Sequence, residues 1–162
     1  FFTFVKSFAE EQKIVYINVD KIMKQSIAGK SIKKQLENIY NINLEKFKKN
    51  DETLKNKEKK IISQKNILSK EDFQKELTSL RSEIINFQKE QVKVRDEMNK
   101  LRVNATNKLI SKLSPILEDY AKRNSVSLIL QKKNIVMGEK EFEITDEILS
   151  ITNDKIKDIK IN

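Results

Sequence analysis

A chain of 162 residues with two glycines, one proline and 35% charged side chains suits long helices better than a loop-rich globule, and it has no run of 18 apolar residues. Cysteine and histidine are absent, which removes disulfides, the usual general base, the commonest metal ligand and the usual pH switch. The net charge of +9 invites anionic partners, but lysine greatly outnumbers arginine, and base-specific readout of nucleic acid relies on arginine.

The opening FFTFVKSFAEEQ reads as the end of an apolar signal core, with Ser7-Phe8-Ala9 offering small residues to a peptidase. Residues 1–9 are therefore expected to be a signal remnant; an apolar first strand or a frayed terminus is the plainer alternative. Next, KIVYINVD at 13–20 is rich in β-branched residues and reads as a strand, and Asp20 is placed to cap a short helix through Met23. Ala28-Gly29-Lys30 is expected to break that helix, with Gly29 as a hinge before a long helix from about Ser31 to Asn66.

In this helix Tyr40, Leu44, Phe47, Asp51, Leu54, Glu58, Ile61, Lys65 and Leu68 alternate in steps of three and four. The stretch after it repeats the pattern more strongly, at Phe73, Leu77, Leu80, Ile84, Phe87, Gln91, Val94, Met98, Leu101 and Ala105. Ser69 with Asp72 makes a capping box, and Leu68 with Phe73 a hydrophobic staple, so a helix is predicted to begin at Lys70. A reversal near 66–70 then gives an antiparallel coiled-coil hairpin with a nearly constant sum of paired numbers: Ile61 with Leu80, Leu54 with Phe87, Phe47 with Val94. In that register Asp51, Glu58 and Lys65 enter the seam, each such layer forfeiting apolar burial of roughly 1 to 2 kcal/mol. The alternative use of both heptads is an intermolecular coiled coil.

After Ala105 the apolar positions change phase to Leu109, Leu113, Ile116 or Leu117, and Tyr120, which marks a new packing partner, and Pro115 is expected to bend the helix. VSLILQ at 126–131 and NIVMGE at 134–139 read as strands joined at Lys132-Lys133. A terminal helix is predicted from Asp146, capped by Thr145 with Ile144 and Leu149 as staple. The fold class is thus α+β: a long antiparallel helical hairpin, 31–105, on a small β body made of 10–30 and 106–162. Three short strands leave open edges and a naked face, for which oligomerisation is the natural remedy.

Residues 45–70 carry nine lysines against four acids, whereas 71–102 carry seven of each sign. The excess on the outer arm, represented by Lys55, Lys57, Lys59 and Lys60, is read as a contact for acidic clients or an anionic surface; a solvated lysine face is the ordinary alternative. The sequence has no glycine-rich phosphate loop and no metal-ligand cluster, and its paired acids sit among lysines, so no enzyme activity and no cofactor are expected.

KIVYINVDKIMKQSIAGKS, SPILEDYAKRNSVSLIL and EITDEILSITN, with a charged hairpin of fitting length between them, resemble the Skp/OmpH-like periplasmic chaperones. The resemblance covers residues 13–153 and is most specific at Ala28-Gly29-Lys30 and Ile144-Thr145-Asp146-Glu147. It implies a homotrimer in which each subunit gives strands to a central β-barrel and one hairpin to a cage holding unfolded outer-membrane proteins, without ATP. The expected function is accordingly a holdase exported by a cleaved signal peptide to the periplasm of a Gram-negative bacterium. Its partners would be unfolded outer-membrane proteins and, transiently, anionic membrane surfaces. A structural coiled-coil stalk is the alternative class, followed by a basic nucleic-acid binder.

Overall fold

The computed structural model describes residues 12–161, so the expected signal remnant lies outside the described residues. The chain runs β1 (Lys13–Ile17), α1 (Val19–Gln25), α2 (Ile27–Ser63), α3 (Lys70–Arg123), β2 (Val126–Gln131) and α4 (Thr145–Lys155), with 3-10 turns at Lys132–Asn134 and Lys140–Phe142. It divides into two compact units, one joining the chain up to Ile32 with Ala105–Lys160, the other centred on Lys33–Asn104.

In the first unit β1 and β2 pair in parallel, Ile14 with Leu128, Val15 with Ile129, Tyr16 with Leu130 and Ile17 with Gln131. Partners in a parallel pair share a face, so Val15 and Ile17 turn inward and are 2% exposed, while Ile14, Leu128 and Leu130 stand on the outer face, 46, 47 and 37% exposed. Tyr16 shares that outer face but is covered. Its hydroxyl donates to the Glu139 carbonyl at 3.0 Å, the Ile144 N–H donates to its carbonyl at 3.0 Å, and a single bridge joins it to Glu143. β1 is therefore flanked on both sides.

That flanking explains one correction. Residues 134–139 form no strand: Lys132–Asn134 coils into a 3-10 turn, and Val136 and Met137 are 106 and 91% exposed. The side of β1 away from β2 is taken by Glu143 and Ile144, and the segment does not pair with the outer edge of β2. A second correction concerns the end of β1, which stops at Ile17 because Asn18, not Asp20, caps α1 by accepting from the Lys21 N–H at 3.0 Å. The break between α1 and α2 falls at Ser26, whose hydroxyl accepts from the Gly29 N–H at 3.0 Å in the geometry of an N-cap. Gly29 thus lies inside the first turn of α2. A Cβ there would lie 1.9 Å from the Met23 carbonyl oxygen.

The expected phase shift in α3 is present. Ala105, Leu109, Leu113, Ile116 and Tyr120 are all buried, in a core shared with Ile22 of α1, Ala28 and Ile32 of α2, and Ile148 of α4. Pro115 sits within the continuous α3. At the end of α3, Ser125 takes a left-handed backbone, φ 52, to turn the chain into β2. Thr145 does not cap α4 through its side chain as expected. It is 1% exposed, and its hydroxyl accepts from the Asn18 N–H at 2.9 Å and donates to Glu143 at 2.9 Å, locking α4 to the start of α1. After α4 the chain continues as an extended tail that buries Ile156 and Ile159; Asp158 accepts from the Ser31 hydroxyl and Lys108 donates to the Lys160 carbonyl at 3.0 Å.

The second unit is the hairpin. The Ser69 hydroxyl oxygen accepts from the Asp72 N–H at 3.1 Å, and its proton is given to the Asp72 carboxylate at 2.6 Å, so α3 starts at Lys70 as predicted. Antiparallel pairing is set by ion pairs from Lys46 to Glu90, 2.6 Å, and from Lys57 to Glu83, 2.5 Å, with Phe47 edge-on to Phe87 at 5.8 Å between ring centroids. This departs from the constant-sum register, which set Phe87 against Leu54. The seam of α2 is also rotated: Ile39, Asn43 and Lys57 are half-buried, whereas Tyr40, Leu44, Glu58 and Lys65 are exposed. A straight helix drifts by about 20° per heptad, and the drift lets Lys57 reach Glu83 instead of leaving Glu58 against Ile84. Ile61 and Leu80, both predicted seam residues, are the buried pair near the turn.

Candidate functional site

Among the described residues no cluster of acidic side chains could hold a metal, and no helix is long and apolar enough to cross a membrane. The cavities of the first unit are open. One of about 450 Å³ is lined by Tyr16, Lys132, Val136, Met137 and Glu143, and one of about 340 Å³ by Asn18, Met23, Ile110 and Lys133. In the former the Lys132 ammonium lies 5.8 Å from the Tyr16 ring centroid and 2.7 Å from the Glu143 carboxylate. Its hydrogen bond holds the Glu143 carboxyl below the usual range, and Glu143 in turn pushes the lysine up. Such a pair orients the segment that covers Tyr16. It offers no nucleophile.

The arm lysines singled out from the sequence are distributed, not gathered. Lys55 pairs with Asp51 one turn back at 2.7 Å, and that hydrogen bond raises its pKa. Lys57 is half-buried and crosses to Glu83, whose carboxyl it holds down by its hydrogen bond, with Ser79 adding a second. Lys59 and Lys60 are exposed. At ~100° per residue, Lys55 and Lys59 share one side of α2, and Lys57 and Lys60 another. Gly29 lies elsewhere, in the first unit, against the carbonyl of Met23.

Sequence reasoning missed the apolar surface that stays outside the seam. On the hairpin Ile42, Ile62, Ile85, Val92 and Val103 are all about half exposed or more, and so is Tyr40, which the heptad row sets in the seam. Scanning the sequence for one heptad row leaves such residues out; a search for a second row on the same helix finds Ile85 and Val92, seven apart. The other patch is the outer face of the sheet, with Ile14, Leu128 and Leu130, together with Val136 and Met137. Among the described residues the outer edge of β2 is unpaired within the chain.

A family model described as outer membrane protein (OmpH-like) matches residues 13–151. A crystal structure described as an OmpH-like outer membrane chaperone from Caulobacter crescentus is similar in fold, with a TM-score of 0.86 at 14% identity over 92% of this chain and 88% of that one. No curated protein matches the chain significantly.

Proposed function

Because the chain belongs to the OmpH-like family of outer membrane proteins, we propose that it is a periplasmic holdase that keeps unfolded outer-membrane proteins from aggregating, without ATP. The observation that carries this reading is the half-exposed apolar residues on a hairpin whose two helices are joined through a narrow seam. Many weak contacts along such helices give avidity with no fixed site, and release follows when the client buries its own apolar surface. Lys55, Lys57, Lys59 and Lys60 add long-range attraction for acidic clients or an anionic membrane surface. Lys59 and Lys60 carry most of it, since Lys55 and Lys57 are already paired.

The working unit in this reading is a homotrimer assembled through strands. Its support is the free edge of β2, the apolar outer face of the sheet and the fully exposed Val136 and Met137 in a segment that forms no strand within one chain. A direct test dilutes a urea-unfolded outer-membrane β-barrel protein into buffer containing this protein and no nucleotide. Light scattering should fall as the ratio reaches about three chains per client. Scattering unchanged at tenfold excess would refute the holdase.

A further inference from the structure

We infer that the face of α3 opposite the hairpin seam is a contact strip for unfolded polypeptide in which apolar or aromatic side chains neighbour carboxylates; the inference rests on the holdase reading and narrows its client class. At ~100° per residue, Ile85, Val92 and Val103 fall within about 20° of one another, and roughly 120 to 180° from the seam residues Leu80, Phe87 and Val94. They are 50, 48 and 57% exposed. The strip is straight and runs for about 27 Å at ~1.5 Å per residue.

Beside it runs a second row spaced by sevens: Arg81, Gln88, Arg95 and Arg102, of which Arg102 is also engaged within the chain. Arg81 lies one turn before Ile85, and Gln88 one turn before Val92. Four of the 33 basic residues of the chain are arginines, and three of them stand on this row. Arginine differs from lysine in ways that suit such a place: its planar guanidinium is weakly hydrated, grips a carboxylate with two parallel bonds and stacks on aromatic rings. Asp96 projects within about 20° of the strip. Lys89 and Lys100 stand on the same side as Asp96, so the flanks of the strip are net basic; a phosphate surface would meet those cations but leave the apolar row uncovered, whereas a polypeptide with apolar and acidic residues in turn meets both. The α3 of a second copy lying antiparallel would bring arginine against arginine.

The test uses the full chain and three labelled, unstructured peptides: one alternating phenylalanine with aspartate, one with lysine in place of aspartate, one with serine in place of phenylalanine. Fluorescence anisotropy should show at least tenfold tighter binding of the phenylalanine–aspartate peptide. I85S/V92S/V103S should lose tenfold, and R81K/R95K severalfold although its charge is unchanged; N38S/N56S, exposed polar positions on α2, should bind like the parent. Equal affinity for the three peptides, or unchanged binding by the triple serine variant, overturns the strip. Should the triple variant lose helical circular dichroism, a photoreactive residue at position 92 decides: it must crosslink the phenylalanine–aspartate peptide, and one at position 56 must not. A triple variant that stays helical but changes oligomeric mass assigns the strip to a second copy and also overturns the proposal. Aggregation assays on the same samples separate the two readings. If the parent and the triple variant suppress aggregation alike, the strip falls and the holdase stands; if the parent does not suppress it yet discriminates the peptides, the holdase falls and the strip stands.

Discussion

Two backbone positions make opposite demands on the side chain. Gly29 is inside a helix, where alanine normally gains about 1 kcal/mol, yet its Cβ would lie 1.9 Å from a backbone oxygen of α1 that cannot swing away. Gly29→Ala should destabilise by ~3 kcal/mol or more, beyond the usual cost of overpacking. Ser125 holds a positive φ that glycine adopts freely, so Ser125→Gly should raise stability by about 0.5 to 1 kcal/mol. Urea melts of the pair check both signs. A third residue links stability to pH. Burial, and then the 2.6 Å hydrogen bond to Glu147, push the Tyr120 phenol up to about 12. The folded state therefore keeps the proton to higher pH than the unfolded chain, whose phenol titrates near 10. The stability this contributes is complete below pH 10 and is lost as pH rises through 12. The melting temperature of the parent should fall more steeply between pH 10 and 12 than that of Tyr120→Phe, and parallel curves would show the phenol is not linked to folding.

At the scale of elements, the tail after α4 is the least expected piece. It lies beyond the family match, which ends at 151, but Ile156 and Ile159 are 8 and 4% exposed. Ile159→Ala should cost roughly 2 to 4 kcal/mol, as for a core isoleucine, while Asp158→Asn, which weakens an exposed bond to Ser31, should cost under ~1 kcal/mol. Similar losses from the two would mean that polar contacts, not burial, hold the tail. The sequence read the helices well wherever periodicity and caps agree: Ser69 and Asp72 start α3, and Leu109, Leu113, Ile116 and Tyr120 turn to a new core. It read them poorly where a polar side chain serves another element. Thr145 has the look of a cap, but its hydroxyl is spent on Glu143 two residues back and on Asn18, the latter a pairing across more than a hundred residues that no local pattern displays. Likewise the heptad rows identified the hairpin but not its register, because Lys57 with Glu83 and Phe47 with Phe87 are chosen by reach across the seam. The exposed row at Ile85, Val92 and Val103 escaped for a different reason: a single heptad row accounts for the seam, and Ile85 and Val92 repeat on a second row outside it.

For the whole molecule, the segment at 135–139 joins sequence to assembly. Its residues have strand propensity but pair with neither β1 nor β2 of their own chain, so the proposed trimer is where they would pair. Val136→Asp with Met137→Asp should reduce the mass in solution from three chains to one and leave helical circular dichroism unchanged; multi-angle light scattering reads the mass directly. An unchanged mass would remove this segment from the interface. The parallel pairing of Ile14 with Leu128 also dictates an order of events in time. Joining these strands directly closes a loop of more than a hundred residues, whereas Lys57 meets Glu83 across about a quarter of that span, a difference of about 1.3 kcal/mol in closure entropy. The hairpin is therefore the early structure, and by folding the chain back it shortens the search left to β1. Until residue 131 is available, β1 has a bare edge. A chain made or exported from its amino terminus spends that whole interval with KIVYI unpaired, so this protein is for a time in the same need of protection as the clients proposed for it.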